Sequence, residues 1–320
     1  MRACISLARE MPEGVYRRAL KAEAEVVEGD VNELLWDLAV HRYALQRAVD
    51  ALWELDVLPK EGQVHQLLYP MLRAYGLRAH VARNVYKAAL AMVRAAKVNR
   101  GARPAVKGLS VRLDYQDARV DVAGGLVKAI VRDRWYTLRL KHRRSYVERF
   151  AELKWKEVCV KRRGGKLYVN IVFETKYFPY TPRGFLALDV NLKQVVAYDG
   201  REVRRYATRF TEALSRKARA EELQRRHPKR WRHNGRIKDE VRALHRRARD
   251  IVIDRCWKLA KELALKARRR GHGIALEGLA HLRSNAAKKG RDAAWRLSMF
   301  AYRRLHASII SKAIEYDVPV

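Results

Sequence analysis

The sequence predicts a multidomain protein of the α/β plus β class: an N-terminal helical region, a small β-barrel, and a mixed-sheet domain carrying basic helices. Three observations predict it. The apolar period is helical up to about residue 98 and two thereafter. Gly- and Pro-containing breaks, KVNRGARPAVKG at 97–108 and Pro179 with Pro182, fall where the pattern changes. Two short apolar runs, each led by Gly and ending in an acid, flank a pair of strongly basic helices. The expected domains are therefore 1–107, 108–182 and 183–320, and 320 residues are enough for two or three.

In chain order, Ala3–Leu7 is a possible first strand of the barrel. A helical region is expected over residues 12–98. In it Leu34, Leu35, Leu38, Val49, Leu52 and Trp53 recur at helical spacing, with Pro59 and Pro70 as interruptions. Val85, Tyr86, Ala89, Leu90 and Val93 form a second stripe, and both stripes read as helix-packing surfaces. Beyond 108, Val111–Tyr115 and Tyr136–Leu140 alternate apolar and polar. Trp155–Val160, a Gly164-Gly165 turn and Leu167–Phe173 read as a hairpin. Short strands with Arg and Lys at outward positions predict the small barrel or half-barrel at 108–182.

After Pro182, Gly184–Val190 is a strand, Val195–Tyr198 a second, Asp199-Gly200 a tight turn and Glu202–Tyr206 a third, giving an antiparallel meander. Basic helices are expected at about 211–226 and 236–270, split by Pro228 and Gly235. The second bears a stripe of Val241, Leu244, Ala248, Ile251, Val252, Leu259 and Leu263. Gly273–Glu277 is a further strand. A last helix at about 292–316 sets Trp295, Met299, Tyr302, Leu305 and Ile309 on one face.

Charge narrows the function. The chain holds 69 Lys and Arg against 35 Asp and Glu, a net +34. Self-repulsion on that scale destabilises a compact state unless a polyanion offsets it, and nucleic acid is the usual one. A solvated basic surface, as in ribosome-associated or heat-adapted proteins, is the alternative. A membrane partner is not expected, because no apolar run approaches the ~20 residues a spanning helix needs. Cys4, Cys159 and Cys256 lie far apart, which argues against a disulfide framework and against a zinc site built from this chain. A reducing, cytoplasmic and nucleoid-associated setting is expected.

The acids that end the two Gly-led strands are Asp189 and Glu277. Side chains alternate along a strand, so Asp189 shares a face with Phe185 and Ala187, and Glu277 shares one with Gly273 and Ala275. Small residues beside the acids leave room for ions and a phosphate. A carboxylate at the end of a buried strand is costly unless it is paired or binds a metal. If the strands are neighbours, both acids converge at one sheet end, and two Mg2+ ions ~3.5–4 Å apart can activate a water and stabilise the leaving oxygen in phosphodiester cleavage. From pattern alone, an ordinary salt bridge of each acid with a nearby Arg is the competing reading.

Residues 183–200, RGFLALDVNLKQVVAYDG, resemble the first RuvC motif of the TnpB (OrfB) family of insertion-sequence proteins, and residues 273–282, GIALEGLAHL, resemble the second. The basic segment between them is similar to the family's in length and character. Type V CRISPR effector nucleases share this core. Many members have Gly two residues after the first acid, where this chain has Asn191. The resemblance implies a RuvC/RNase H-like nuclease core over 183–320, with Asp189 and Glu277 as catalytic and metal-binding residues and Mg2+ as cofactor. It also implies an RNA-guided DNA endonuclease tied to DNA transposition and recombination, often called simply a transposase, with guide RNA and DNA as partners. The family continues into a four-cysteine zinc ribbon and a third acid. This chain is accordingly expected to be C-terminally truncated, without its last motif and with impaired cleavage. Asp317 corresponds to no catalytic acid. A nuclease-dead nucleic-acid-binding regulator, or a degenerate transposase remnant, is the alternative.

The basic helices are the expected nucleic-acid contact. Arg216, Lys217, Arg225, Arg226, Lys229, Arg230, Trp231, Arg232, Arg236 and Lys238 combine guanidinium and ammonium groups with an aromatic ring. A solvated face with ion pairs four residues apart is the competing reading. The cysteine spacing makes one outcome testable at once: elemental analysis of the purified chain should find no stoichiometric zinc, and one zinc per chain would reveal an unforeseen Cys/His site.

Overall fold

The computed structural model describes residues 13–278, Trp295 and residues 301–320. The expected strand at 3–7, residues 279–282 of the second motif, and Met299 of the last helix lie outside the described residues. The chain divides into two compact units, residues 17–175 and residues 1–16 with 176–320.

In the first unit, β1 (Gly14–Glu28) leads into three helices, α1 (Val31–Trp53), α2 (Glu61–Ala74) and α3 (Ala79–Val98). Six further strands follow: β2 (Ser110–Leu113), β3 (Ala118–Asp121), β4 (Leu126–Ile130), β5 (Trp135–Lys141), β6 (Trp155–Arg163) and β7 (Lys166–Tyr177), with the short α4 (Arg144–Val147) after β5. The sheet runs β2-β6-β7-β1-β5-β4-β3 and curls into a half-barrel.

Two expectations are corrected here. Residues 14–28 are a strand, not the start of a helix. Leu20, Ala22 and Ala24 are buried at a period of two, and that pattern overrides the helix-favouring Ala, Glu and Lys around them. The expected boundary at 107/108 does not separate compact units either, because α1–α3 share one core with the sheet. Pro59 falls between α1 and α2 as expected, whereas Pro70 stands inside α2.

A buried polar knot docks α1 on the sheet. The Tyr136 hydroxyl donates to Asp37 Oδ2 at 2.9 Å, and Arg132 Nη1 approaches Oδ1 at 3.4 Å. Burial pushes the Asp37 carboxyl above its ordinary range, and the same burial with Asp37 alongside raises the Tyr136 phenol. Gly29 makes the turn from β1 into α1 with φ +93, and a Cβ there would lie 2.9 Å from the Tyr136 ring.

In the second unit, β8 (Phe185–Val190), β9 (Gln194–Tyr198) and β10 (Val203–Ala207) form the expected antiparallel meander. Helices α5 (Phe210–Arg226) and α6 (Gly235–Arg270) return the chain to β11 (Gly273–Leu276), which pairs parallel with β8 in the order β10-β9-β8-β11. Leu186, Leu188, Val190, Val195 and Ala197 face a core completed by Val252, Leu259 and Leu263 of α6 and by Leu305 and Ile309 of α7 (Tyr302–Glu315). Residue Pro319 runs beside β11, where Ile274 N–H donates to its carbonyl at 2.7 Å. Asp317 accepts from the Phe178 amide and so serves the backbone.

The β9–β10 turn is locked by Asp199, whose side chain is fully buried. Its Oδ1 accepts from the amides of Glu202 at 2.9 Å and Arg201 at 3.1 Å. Its Oδ2 takes an ion pair from Arg270 and lies 3.6 Å from Lys266 Nζ. The Glu202 amide first, then the Arg201 amide and the two cations, hold the carboxyl down to about 2 against the cost of burial. That lies below the ordinary value of ~3.9. The contribution is therefore complete above about pH 4 and is lost as pH falls toward 2. Asp199→Asn should lower the melting temperature at neutral pH, and the gap from the parent protein should close between about pH 4 and 2. A gap unchanged across that window would show that the charge of Asp199 is not what stabilises the turn.

Candidate functional site

Alternation along β8 turns Leu186, Leu188 and Val190 into the core and leaves Phe185, Ala187 and Asp189 on the open face. The parallel register pairs Gly273 with Phe185, Ala275 with Ala187 and Leu276 with Leu188. Asp189 is the next residue of β8, and Glu277 is the first residue after β11, one position beyond the last registered pair. Gly273 permits the close pairing, since a Cβ there would lie 2.8 Å from the Phe185 ring and 3.3 Å from the Pro319 carbonyl.

Both acids are exposed. The desolvation cost expected of strand-end carboxylates therefore does not apply. In a chain of net +34, neither acid forms an ion pair among the described residues. Two neighbouring carboxylates without a counterion repel each other, and a bound cation would relieve that repulsion. Asp189 Oδ2 accepts from Asn191 Nδ2 at 2.8 Å, which fixes the carboxylate and leaves its other oxygen open. Asn191, where many members of the family that this chain resembles have Gly, stands in the turn after β8, and its amide is what reaches back to the acid.

Hard carboxylate and amide oxygens suit Mg2+, which uses one or two carboxylates and keeps several waters. The pair thus fits one such ion. Among the described residues no group of three or more His, Cys, Asp and Glu is placed to hold a metal.

The predicted nucleic-acid residues fall on a helical hairpin. Arg216, Lys217, Arg225 and Arg226 belong to α5, and Arg236 and Lys238 open α6. Lys229, Arg230, Trp231 and Arg232 form the tip, with a single 3-10 turn at Arg230–Arg232. Arg225, Lys229, Arg230, Arg232 and Arg236 are exposed. Arg232 lies over the Trp231 ring at 5.5 Å. Others are engaged internally: Arg226 pairs with Glu222, and Lys217 sits 3.6 Å from Glu221 and 5.3 Å from the Trp295 ring. The tip is therefore the open part of the surface, while Lys217 helps hold the helices.

The chain aligns with Cas12f1 in a Cas12f1–sgRNA–target DNA complex at a TM-score of 0.58, over 90% of this chain and 71% of that one, with 13% sequence identity. A Cas12i1 R-loop complex after target DNA cleavage covers 89% of this chain and 46% of that one at 11% identity, but its TM-score of 0.21 carries no argument. No family model matches the sequence. The first likeness shows a shared fold, consistent with the RuvC-like core that the motifs lead one to expect. Replacing Arg225, Arg226, Lys229 and Arg230 together with Gln should weaken binding to RNA and DNA and lower the salt slope of log K by up to about 3 to 4, at ~0.9 per phosphate contact. An unchanged slope in titrations across salt concentrations would place the interface elsewhere.

Proposed function

We propose that this chain is a TnpB-like, RNA-guided DNA endonuclease component in which Asp189 and Glu277 form a RuvC-type Mg2+ site and the α5–α6 hairpin contacts nucleic acid. The observation that supports the reading is the parallel register of β8 and β11, two neighbouring strands that run the same way toward Asp189 and Glu277. Asp189 and Glu277 would hold the ion. Bound there, Mg2+ would supply an activated water and charge stabilisation for phosphodiester hydrolysis. In this reading the chain's own residues each contribute. Asn191 orients Asp189, Ala187 and Ala275 keep the neighbourhood of the acids uncrowded, and the exposed cations of the hairpin tip offer phosphate contacts. Guide and target would be matched by base pairing, with the protein reading backbone shape.

A second reading, a nucleic-acid-binding regulator or remnant without cleavage, is favoured by one observation: no third ligand joins the two acids among the described residues. Sequencing of co-purified RNA and a plasmid cleavage assay with Mg2+ separate the two. Asp189→Asn or Glu277→Gln should abolish any cleavage supported by this chain, alone or extended by a segment donating a third acid, and should leave RNA affinity within about two-fold, because no phosphate contact is removed. Each substitution should also weaken Mn2+ binding followed by electron paramagnetic resonance, with Mn2+ standing in for Mg2+. Full cleavage after Asp189→Asn would overturn the RuvC assignment. Absent cleavage with unchanged Mn2+ binding would favour the second reading.

A further inference from the structure

At the opposite end of β8 from the acids, Tyr180, Thr181, Arg183, Arg268, Arg269 and Arg270 line a hollow of about 470 Å3 beside Gly271. The hollow has a defined frame. The Arg183 amide donates to the Gly271 carbonyl at 2.8 Å, and the Tyr180 hydroxyl donates to the His272 carbonyl at 2.8 Å, so the segment before β8 is fastened to the end of α6. The Arg268 guanidinium lies 5.0 Å from the centre of the Tyr180 ring, and Arg269 Nε donates to the Leu265 carbonyl at 3.2 Å. Both guanidinium groups are thereby oriented.

Charge decides what the hollow is for. Arg270 is neutralised by Asp199 and Glu202. Among the described residues, Arg183, Arg268 and Arg269 form no ion pair with an acid. Basic residues in a last helical turn offset the helix's C-terminal partial charge, but that is only about −0.5. Three uncompensated guanidinium groups exceed it, and Arg183 comes from a different segment. We propose that this hollow is a second anion site, separate from the hairpin, which takes a backbone phosphate of a nucleic-acid strand. Arg forks match phosphate oxygens in pairs, and three of them from two segments line the hollow. The proposal rests on the nucleic-acid reading and not on cleavage.

The test uses the full chain and three variants: Arg183→Gln/Arg268→Gln/Arg269→Gln, the same three positions changed to Lys, and the hairpin quadruple. Binding of a labelled single-stranded RNA and of a labelled duplex DNA is measured by fluorescence anisotropy across a salt series. Arg270 is left intact because it braces Asp199. The Gln triple should lower the salt slope by about 1 on at least one of the two, as expected for one lost phosphate contact, while the Lys triple keeps it. Loss on RNA alone or on DNA alone identifies the strand, and loss on both shows that the phosphate is read without regard to sugar. If the hairpin quadruple loses slope and the Gln triple does not, the nucleic-acid reading stands and the second site falls. If the Lys triple loses as much as the Gln triple, the arginines act through the fold, and the proposal also falls. If the parent chain binds neither ligand, the underlying reading fails first.

Discussion

Parallel pairing of two strands cannot be closed by a hairpin; the chain must leave the sheet, cross it and return in the same direction. The pairing of β8 with β11 imposes that route on the second unit. Before the return, the chain builds the β9 and β10 meander on one side of β8, then the two helices that cover the sheet's buried face. The return also brings two residues far apart in sequence, Asp189 and Glu277, to neighbouring strand ends. An antiparallel partner for β8 would have set the end of one strand against the start of the other, and the acids would have been separated by the length of the strand.

Electrostatics divides the same unit by sign. Negative groups buried in the fold are each met by cations, as Asp199 is by Arg270 and Lys266. Among the described residues the two motif acids have no such partners, while surplus cations collect at the hairpin tip and around the hollow beside Gly271. A polyphosphate strand would suit both distributions: phosphates beside the cations and a divalent ion between strand and acids.

Much of this was legible in the sequence. The meander, the two basic helices and β11 fall within a residue or two of where apolar period, Pro228, Gly235 and Gly273 placed them, because there propensity and pattern agree. Asp189 and Glu277 stood out because each ends a Gly-led apolar run. β1 was hidden because its buried residues are largely alanines, which carry little apolar contrast and favour helix. β3 and β4 escaped because strands of four and five residues barely establish a period. The sharing of one core by α1–α3 and the half-barrel was not legible either, since knots such as Asp37 with Tyr136 join residues 99 positions apart. The exposure of the two acids could not be read from alternation, which assigns a face but not what covers it.

The distribution of buried side chains along α6 has a mechanical consequence. Cys256, Leu259, Ala260, Leu263, Ala264 and Ala267 pack its second half, and Asp199 grips its last turn, whereas in the first half Val241, Ala248 and Val252 are buried. A helix of 36 residues held in this way is a cantilever about 54 Å long. A tilt of about 5° at the clamped end displaces the far end, together with the α5 packed on it, by about 5 Å. On the proposed function, stiffness at the clamp would set how finely the basic tip is held in register along a polyanion.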